Sequence, residues 1–392
     1  MLKPSLAKNN FREEVMKTMK DLSTSLEGRV SELRELKKEG KKIVGYVPGG
    51  FMPEELVWAS GAIPVGLNRG GDPSAVLKSA EYLPRFIDTF SRSQIGYWAM
   101  GEEPLYQMVD LVVVPCTDRN IGVIADGWEM WTETKVFKFG VPHNNKSDHA
   151  FKYYLDGLHL LKEALEKLTG STITDDKLRK EIDVLNRMRL LLRQISEMRK
   201  SERPPISGKD YIKLHHASFR TDRDIMVTSL ESMFQELKGN EGRKGPRILL
   251  IGSSIAEGDY KVHNILEAIG ADVVIEDFSE GMRPYWQEVE NNGDLVEALA
   301  DGYFRKRTPP PAFFRPATEE RVAFFLRLAK EFRVDGIIWY SMMYRDSYDI
   351  AGIYFRRIAE KEGLPFIKIM SDYDTAETGP LRTRIEALIE SL

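Results

Sequence analysis

Residues 42–67 read KIVGYVPGGFMPEELVWASGAIPVGL. Lys42–Val47 is a short apolar run rich in β-branched residues, stopped by the turn Pro48-Gly49-Gly50. Pro53–Gly61 then carries its apolar residues at helical spacing, and Ile63–Leu67 is a second apolar run closed off by Gly61 in front of it. Short apolar runs with a helix between them predict parallel strands joined by a crossover, buried on both faces. The same alternation continues outward. A helical stretch at Pro84–Met108 precedes the strand Asp110–Pro115, and a helix from Arg119 to about Met130 precedes a strand near Lys135–Val141.

On the amino-terminal side, Phe11, Val15, Met19, Leu22, Leu26, Leu33 and Leu36 fall at helical spacing among charges and stop at Gly40, which predicts an amphipathic leading helix or helix pair. On the carboxyl side, Ser147 to about Leu237 reads as wholly helical. A turn-rich linker follows at Lys238–Gly245. The βα alternation then resumes, with strands expected at Arg247–Ile251, Asp272–Glu276, Gly336–Tyr340 and Pro365–Met370. The expected organisation is a helical segment at 1–40, an α/β domain at 41–146, a helical bridge at 147–238 and a second α/β domain at 246–392.

The chain has 392 residues, 56 Lys and Arg against 60 Asp and Glu, and 42% hydrophobic residues, so it has apolar material for two cores and no domain-wide basic field. Nucleic-acid binding by phosphate neutralisation is therefore not expected. No apolar run approaches the roughly 18 residues of a membrane span, and the polar start lacks the apolar centre of a signal peptide, so a cytoplasmic location is expected. The single cysteine, Cys116, excludes an internal disulfide and any metal or iron–sulfur site made of this chain's thiolates alone.

In open parallel sheets, ligands gather where strands end and helices begin. That directs attention to the loops Pro48–Glu55, Cys116–Asn120, Gly252–Gly258 and Ser341–Asp346. Gly49, Gly50 and Phe51 are candidate substrate-binding residues, because a glycine turn lets backbone approach a carbonyl or phosphate; the loop lacks dinucleotide or P-loop spacing. Glu54 and Glu55 open a helix, where its dipole favours carboxylates, and Glu55 is the candidate for proton transfer if it faces a pocket. His215 and His216 are neighbours about 100° apart on a helix, which is not a metal-pair spacing. The stretch Phe304–Arg315 is densely basic, with aromatics and prolines, and suits phosphates or an acidic partner.

Four segments together resemble the 2-hydroxyacyl-CoA dehydratase and benzoyl-CoA reductase family, which includes 2-hydroxyglutaryl-CoA dehydratase component D. They are residues 42–67, the strand end Asp110–Asn120 (DLVVVPCTDRN), Gly252–Arg283, and Val334–Asp346 continued by Ser371–Leu388 with its Thr-Arg-Ile-Glu-Ala ending. The resemblance implies two Rossmann-like or flavodoxin-like parallel-sheet domains. It also implies a heterodimer with a paralogous cysteine-containing subunit, a CoA thioester as substrate, and an ATP-dependent iron–sulfur activator in anaerobic metabolism.

Members of that family normally hold a [4Fe–4S] cluster through three cysteines. By motif alignment those positions fall here near Asp88, at Cys116 or Thr117, and at Arg345, a vestigial cluster site with at most one thiolate. No cofactor is then expected on this chain alone, and the cluster is expected on the partner subunit. The implied activity is that of a subunit of a dehydratase-like lyase or reductase complex. The alternatives are a non-catalytic assembly subunit and a redox-free CoA-thioester enzyme on the same scaffold.

Overall fold

The computed structural model describes residues 6–307 and 315–392, with side chains from residue 17 onward. Residues 308–314, most of the basic and proline-rich stretch singled out above, lie outside the described residues, as do residues 1–5. A long helix, Leu6–Lys38, leads into strands β1 (Ile43–Tyr46), β2 (Ile63–Gly66), β3 (Leu111–Cys116) and β4 (Lys135–Gly140), all parallel in the order β2-β1-β3-β4. Four helices follow, Asp148–Thr169, Asp175–Met198, Gly208–Ser218 and Arg223–Leu237. Strands β5 (Arg247–Gly252), β6 (Asp272–Asp277), β7 (Gly336–Met342) and β8 (Phe366–Ser371) form a second parallel sheet in the order β6-β5-β7-β8.

The two sheets therefore share one topology, with the central pair β1/β3 in the first matching β5/β7 in the second. Each order reverses between that pair, which opens a crevice at the carboxyl ends of the strands. The central strands are buried along their length, because helices cover both sheet faces and an apolar run satisfies both sides at once. The expected helix over Pro84–Met108 is two, Thr89–Met100 and Pro104–Met108. Gly101 ends the first in the left-handed region (φ +70°), where a side chain would be strained. Short helices at Pro73–Ser79, Arg283–Trp286 and Leu295–Ala300 were not legible from periodicity, since each spans two turns or fewer.

The helices between the sheets pack against both. Leu185, Met188, Leu192 and Ile195 join the apolar core of the second sheet, while Leu178 and Ile182 of the same helix join that of the first. The carboxyl ends of the sheets meet directly, with the Asn120 side chain donating to the Tyr344 carbonyl at 3.1 Å. No helix among the described residues is long and apolar enough to cross a membrane.

Candidate functional site

Tyr46 is the last residue of β1, and the loop after it turns back through Pro48-Gly49-Gly50 into the helix Glu54–Ala59. Gly50 has φ +77°, and a Cβ placed there would meet the Arg307 guanidinium at 3.0 Å; its carbonyl accepts a hydrogen bond from Arg307. Glycine is thus required at 50 by both conformation and space. Gly49 meets only the Phe51 ring, at 4.0 Å. Gly49 and Gly50 line a narrow cavity together with Tyr46, Met52, Glu54, Arg189, Tyr303 and Arg307. Phe51 turns into the apolar core, where its carbonyl accepts from Tyr154, so it takes no part in the lining.

The two adjacent glutamates have different surroundings. Glu55 is wholly buried; one oxygen lies 2.5 Å from an Arg189 nitrogen and the other accepts from the Tyr303 hydroxyl at 2.8 Å. Arg189 also donates to Tyr303 at 2.6 Å and to Asn186 at 2.9 Å. Burial works to lower the Arg189 pKa, but Glu55 and Tyr303 more than offset it and hold the guanidinium charged. Both Glu55 oxygens are thus committed to a closed ion-pair network. Glu54 lines the cavity and accepts one hydrogen bond, from the Tyr46 hydroxyl at 2.6 Å. Burial pushes its pKa up to about 7, against the opposing pull of Tyr46, with neighbouring Glu55 adding to the rise. A carboxyl that titrates near neutrality can both give and take a proton there. Glu54 is therefore the residue that meets the condition set for Glu55, namely facing a pocket.

His215 and Ser218 close another wall of the cavity. Burial drives the His215 pKa well down, so it lines the wall as a neutral ring packed edge-on to Phe219 and Tyr285. The space open to water centres is about 30 Å³, room for one or two waters and no more. Tyr303 sits in a π-helical turn, Asp301–Arg305, a type of turn often found at functional sites, and Arg307 stacks over its ring at 3.9 Å.

A second polar centre lies at the ends of β3 and β7. Asp118 caps the helix Arg119–Trp131 by accepting from the Asn120 and Ile121 amides, and its other oxygen pairs with Arg345 at 2.6 Å. Arg345 is 1% exposed and also donates to Ser254 at 3.2 Å. Asp88, fully buried, caps the helix Thr89–Met100 and accepts from Ser91. Burial raises the Asp88 pKa, opposed first by the Arg345 charge. Asp88 and Arg345 thus share one electrostatic centre. The Thr117 hydroxyl lies 3.4 Å from the Asp118 oxygen that Arg345 holds. Cys116 is different. Its sulfur contacts the Val114 carbonyl at 3.7 Å, and burial raises its pKa to about 11, with Asp126, Lys138 and Asp118 as its charged neighbours.

These residues do not fit a [4Fe–4S] cluster. A cubane needs several thiolates; of the positions that motif alignment gives, one holds a guanidinium and another a helix-capping carboxylate, and the chain's single thiol, Cys116, is a weak acid whose sulfur contacts the Val114 carbonyl. The Arg345–Asp118 pair supplies charge balance within the centre itself.

Tyr46, Arg189 and Tyr303 were not singled out from sequence, and Arg307 only as part of the basic stretch Phe304–Arg315. Arg189 carried a usable signal. It lies four residues after Leu185 and three before Leu192, on the apolar face of its helix, where an arginine is buried only with a partner.

The family model described as 2-hydroxyglutaryl-CoA dehydratase, D-component, matches residues 50–392. The chain is 28% identical over 370 residues to a provisionally named dehydratase subunit, YjiM, of Escherichia coli (strain K12), covering 91% of this chain and 93% of that one. It is 23% identical to one of the subunits of benzoyl-CoA reductase from Thauera aromatica, covering 90% of this chain and 91% of that one. It is also 23% identical to the beta subunit of (R)-2-hydroxyglutaryl-CoA dehydratase of Acidaminococcus fermentans, covering 92% and 95%.

Proposed function

The chain belongs to the 2-hydroxyglutaryl-CoA dehydratase D-component family, and from that membership we propose that it is a subunit of a complex acting on a CoA thioester, with Glu54 as its proton-transfer residue. The observation that carries the assignment is the pairing of a cavity-lining carboxyl titrating at about 7 with two flanking guanidiniums, Arg189 and Arg307. A thioester carbonyl brought to the Pro48–Glu54 loop would meet positive charge for its oxygen and a proton donor or acceptor beside it. Glu55 acts through Arg189 and Tyr303 as a positioning residue. Gly50 holds the loop to Arg307, and Gly49 forms the turn.

In this reading the redox centre resides on a paralogous cysteine-containing subunit, fed by an ATP-dependent activator. In it this chain brings no cluster of its own, because the three positions given by motif alignment, Asp88, Cys116 or Thr117, and Arg345, hold at most one thiolate. The small size of the Glu54 cavity favours a second reading, a non-catalytic assembly subunit whose polar centres only hold the fold.

The two readings separate in the complex purified anaerobically with its partner subunit. Glu54→Gln lowers turnover of the CoA thioester by about 10²-fold or more with assembly unchanged if Glu54 transfers protons. Wild-type turnover in Glu54→Gln removes the catalytic assignment and leaves the assembly role.

A further inference from the structure

Beyond the Glu54 cavity, the structure holds a surplus of buried positive charge. Arg283, Arg307 and Arg321 are 4%, 3% and 2% exposed, yet among the described residues only one carboxylate, Asp277, is ion-paired to any of them, through Arg283 Nε at 3.1 Å. Arg307 spends its two terminal nitrogens on the Gly50 and Pro284 carbonyls, which carry no net charge. Arg283 Nη2, Arg307 Nε, and Arg321 Nε and Nη2 have no hydrogen-bond partner among the described residues. Guanidinium does not escape burial by losing its proton, so unmatched buried arginines are costly unless an anion completes them.

Arg283 and Arg307 face a pocket of about 470 Å³ whose rim adds Arg327 and Lys306, and whose wall is the aromatic pair Trp286 and Phe324. The two rings stand edge to face, 6.2 Å between centroids, and Arg327 lies over Phe324 at 4.9 Å. Lys306 is already paired with Glu290 and Asp301, and Glu320, the one acidic residue among the described residues lining the pocket, is drawn off by Lys146 at 3.1 Å. Arg283 is paired with Asp277 and Arg327 with Glu331 at 3.8 Å, so among the described residues lining the pocket the cation without an ion-pair partner is Arg307. The single N–H donors left on Arg283 (Nη2) and Arg307 (Nε) suit phosphate oxygens, and the aromatic pair beside them suits a planar base.

We propose that this pocket binds the phosphate-bearing nucleotide end of a ligand, with Arg283 and Arg307 on phosphate oxygens, Arg327 at the rim and the base against Phe324 and Trp286. Arg307 lines both this pocket and the Glu54 cavity, so one side chain connects phosphate binding to the Gly50 carbonyl and the loop that carries Glu54. Two sources share this chemistry, the nucleotide end of a CoA thioester and a free adenine nucleotide. Naming CoA as the carrier rests on the function proposed above, whereas the phosphate-and-base assignment does not.

The test is titration calorimetry of the full chain with adenosine 3′,5′-bisphosphate, ADP, CoA, a CoA thioester and pantetheine, repeated with Arg327→Glu and Phe324→Ala. Arg327 is at the rim and Phe324 in the half-buried wall, and an unchanged unfolding midpoint verifies that each variant folds. The bisphosphate and CoA are expected to compete for one site, pantetheine not to compete, and each substitution to weaken binding about tenfold, with affinity falling as salt rises. Preferred binding of ADP over the bisphosphate and CoA identifies a free nucleotide as the source. If no nucleotide binds, or if both variants bind as wild type does, the proposed pocket is wrong. CoA-thioester binding that ignores both substitutions overturns the pocket and leaves the proposed function standing. Bisphosphate binding that both substitutions weaken, without any binding of the CoA thioester, upholds the pocket and defeats the CoA-thioester function.

Discussion

At the end of β1, Glu55 is matched by Arg189 while its neighbour Glu54 is left facing a cavity, with a single hydrogen bond and a pKa of about 7. At the end of β3, in the same sheet, Asp118 and Asp88 are gathered around Arg345, and each carboxylate also caps a helix. Both centres bury charge at the mouth of a parallel sheet. The first keeps one group free to titrate, and the second commits its charges to one another. The proposed chemistry is therefore assigned to the first, and the second is proposed to be structural, at the positions that motif alignment gives for the cluster ligands.

The difference is sharpest in what breaking each centre does. Arg345→Ala removes the ion-pair partner of Asp118 and the positive charge that opposes the rise in the Asp88 pKa, and a loss of about 3–5 kcal/mol is expected, measured as a shift in chemical unfolding. A change below about 1 kcal/mol would mean that the centre is not closed. Glu54→Gln mimics the protonated carboxyl, so it does not lower stability at pH 7. Its effect is on turnover in the assembled complex, about 10²-fold, or about 2.7 kcal/mol of transition-state stabilisation.

A smaller effect separates the centres by pH. Because the folded-state pKa of Glu54 is raised from 4.5 to about 7, the native chain binds the proton more tightly than the unfolded chain. Stability from this group is present below about 4.5 and is lost as pH rises through about 7. Glu280, raised to about 7 by burial, and Asp272, raised to about 6, slope the same way, so the contribution of Glu54 is the difference between wild type and Glu54→Gln across pH 4.5–7. Identical slopes would show that Glu54 does not titrate there.

The smallest expected effect is at Cys116. Half-buried and outside the Arg345 network, its replacement by Ala costs about 1 kcal/mol and leaves the Arg345–Asp118 pair in place. A loss comparable to that of Arg345→Ala would place the thiol inside the closed centre after all.

The fold was legible because its signal is local. Runs such as Leu111–Cys116 and Arg247–Gly252 are apolar over a length that suits a strand buried on both faces, and glycine turns separate them from helices with clear periodicity. The Pro48–Glu55 loop was legible for the same reason, since a strand end followed by a glycine turn and a helix start is written in consecutive residues. The partners of that loop were not. Arg189, Tyr303 and Arg307 come from 134, 248 and 257 residues away from the residues they bind, Glu55, Glu55 and Gly50. Nor does sequence distinguish Glu54 from Glu55, which share a helix turn and differ only in which way each side chain points. The Arg345–Asp118 pair is likewise long-range, and only the alignment of family motifs drew attention to the position of Arg345.

The central claim, that the closed centre takes the place of a cluster on this chain, is tested most directly by iron and acid-labile sulfide in each subunit, separated after anaerobic purification of the complex. The expected result is a negligible content of both on this chain and about four irons for each [4Fe–4S] cluster on the partner. About four irons and matching sulfide on this chain alone would contradict it.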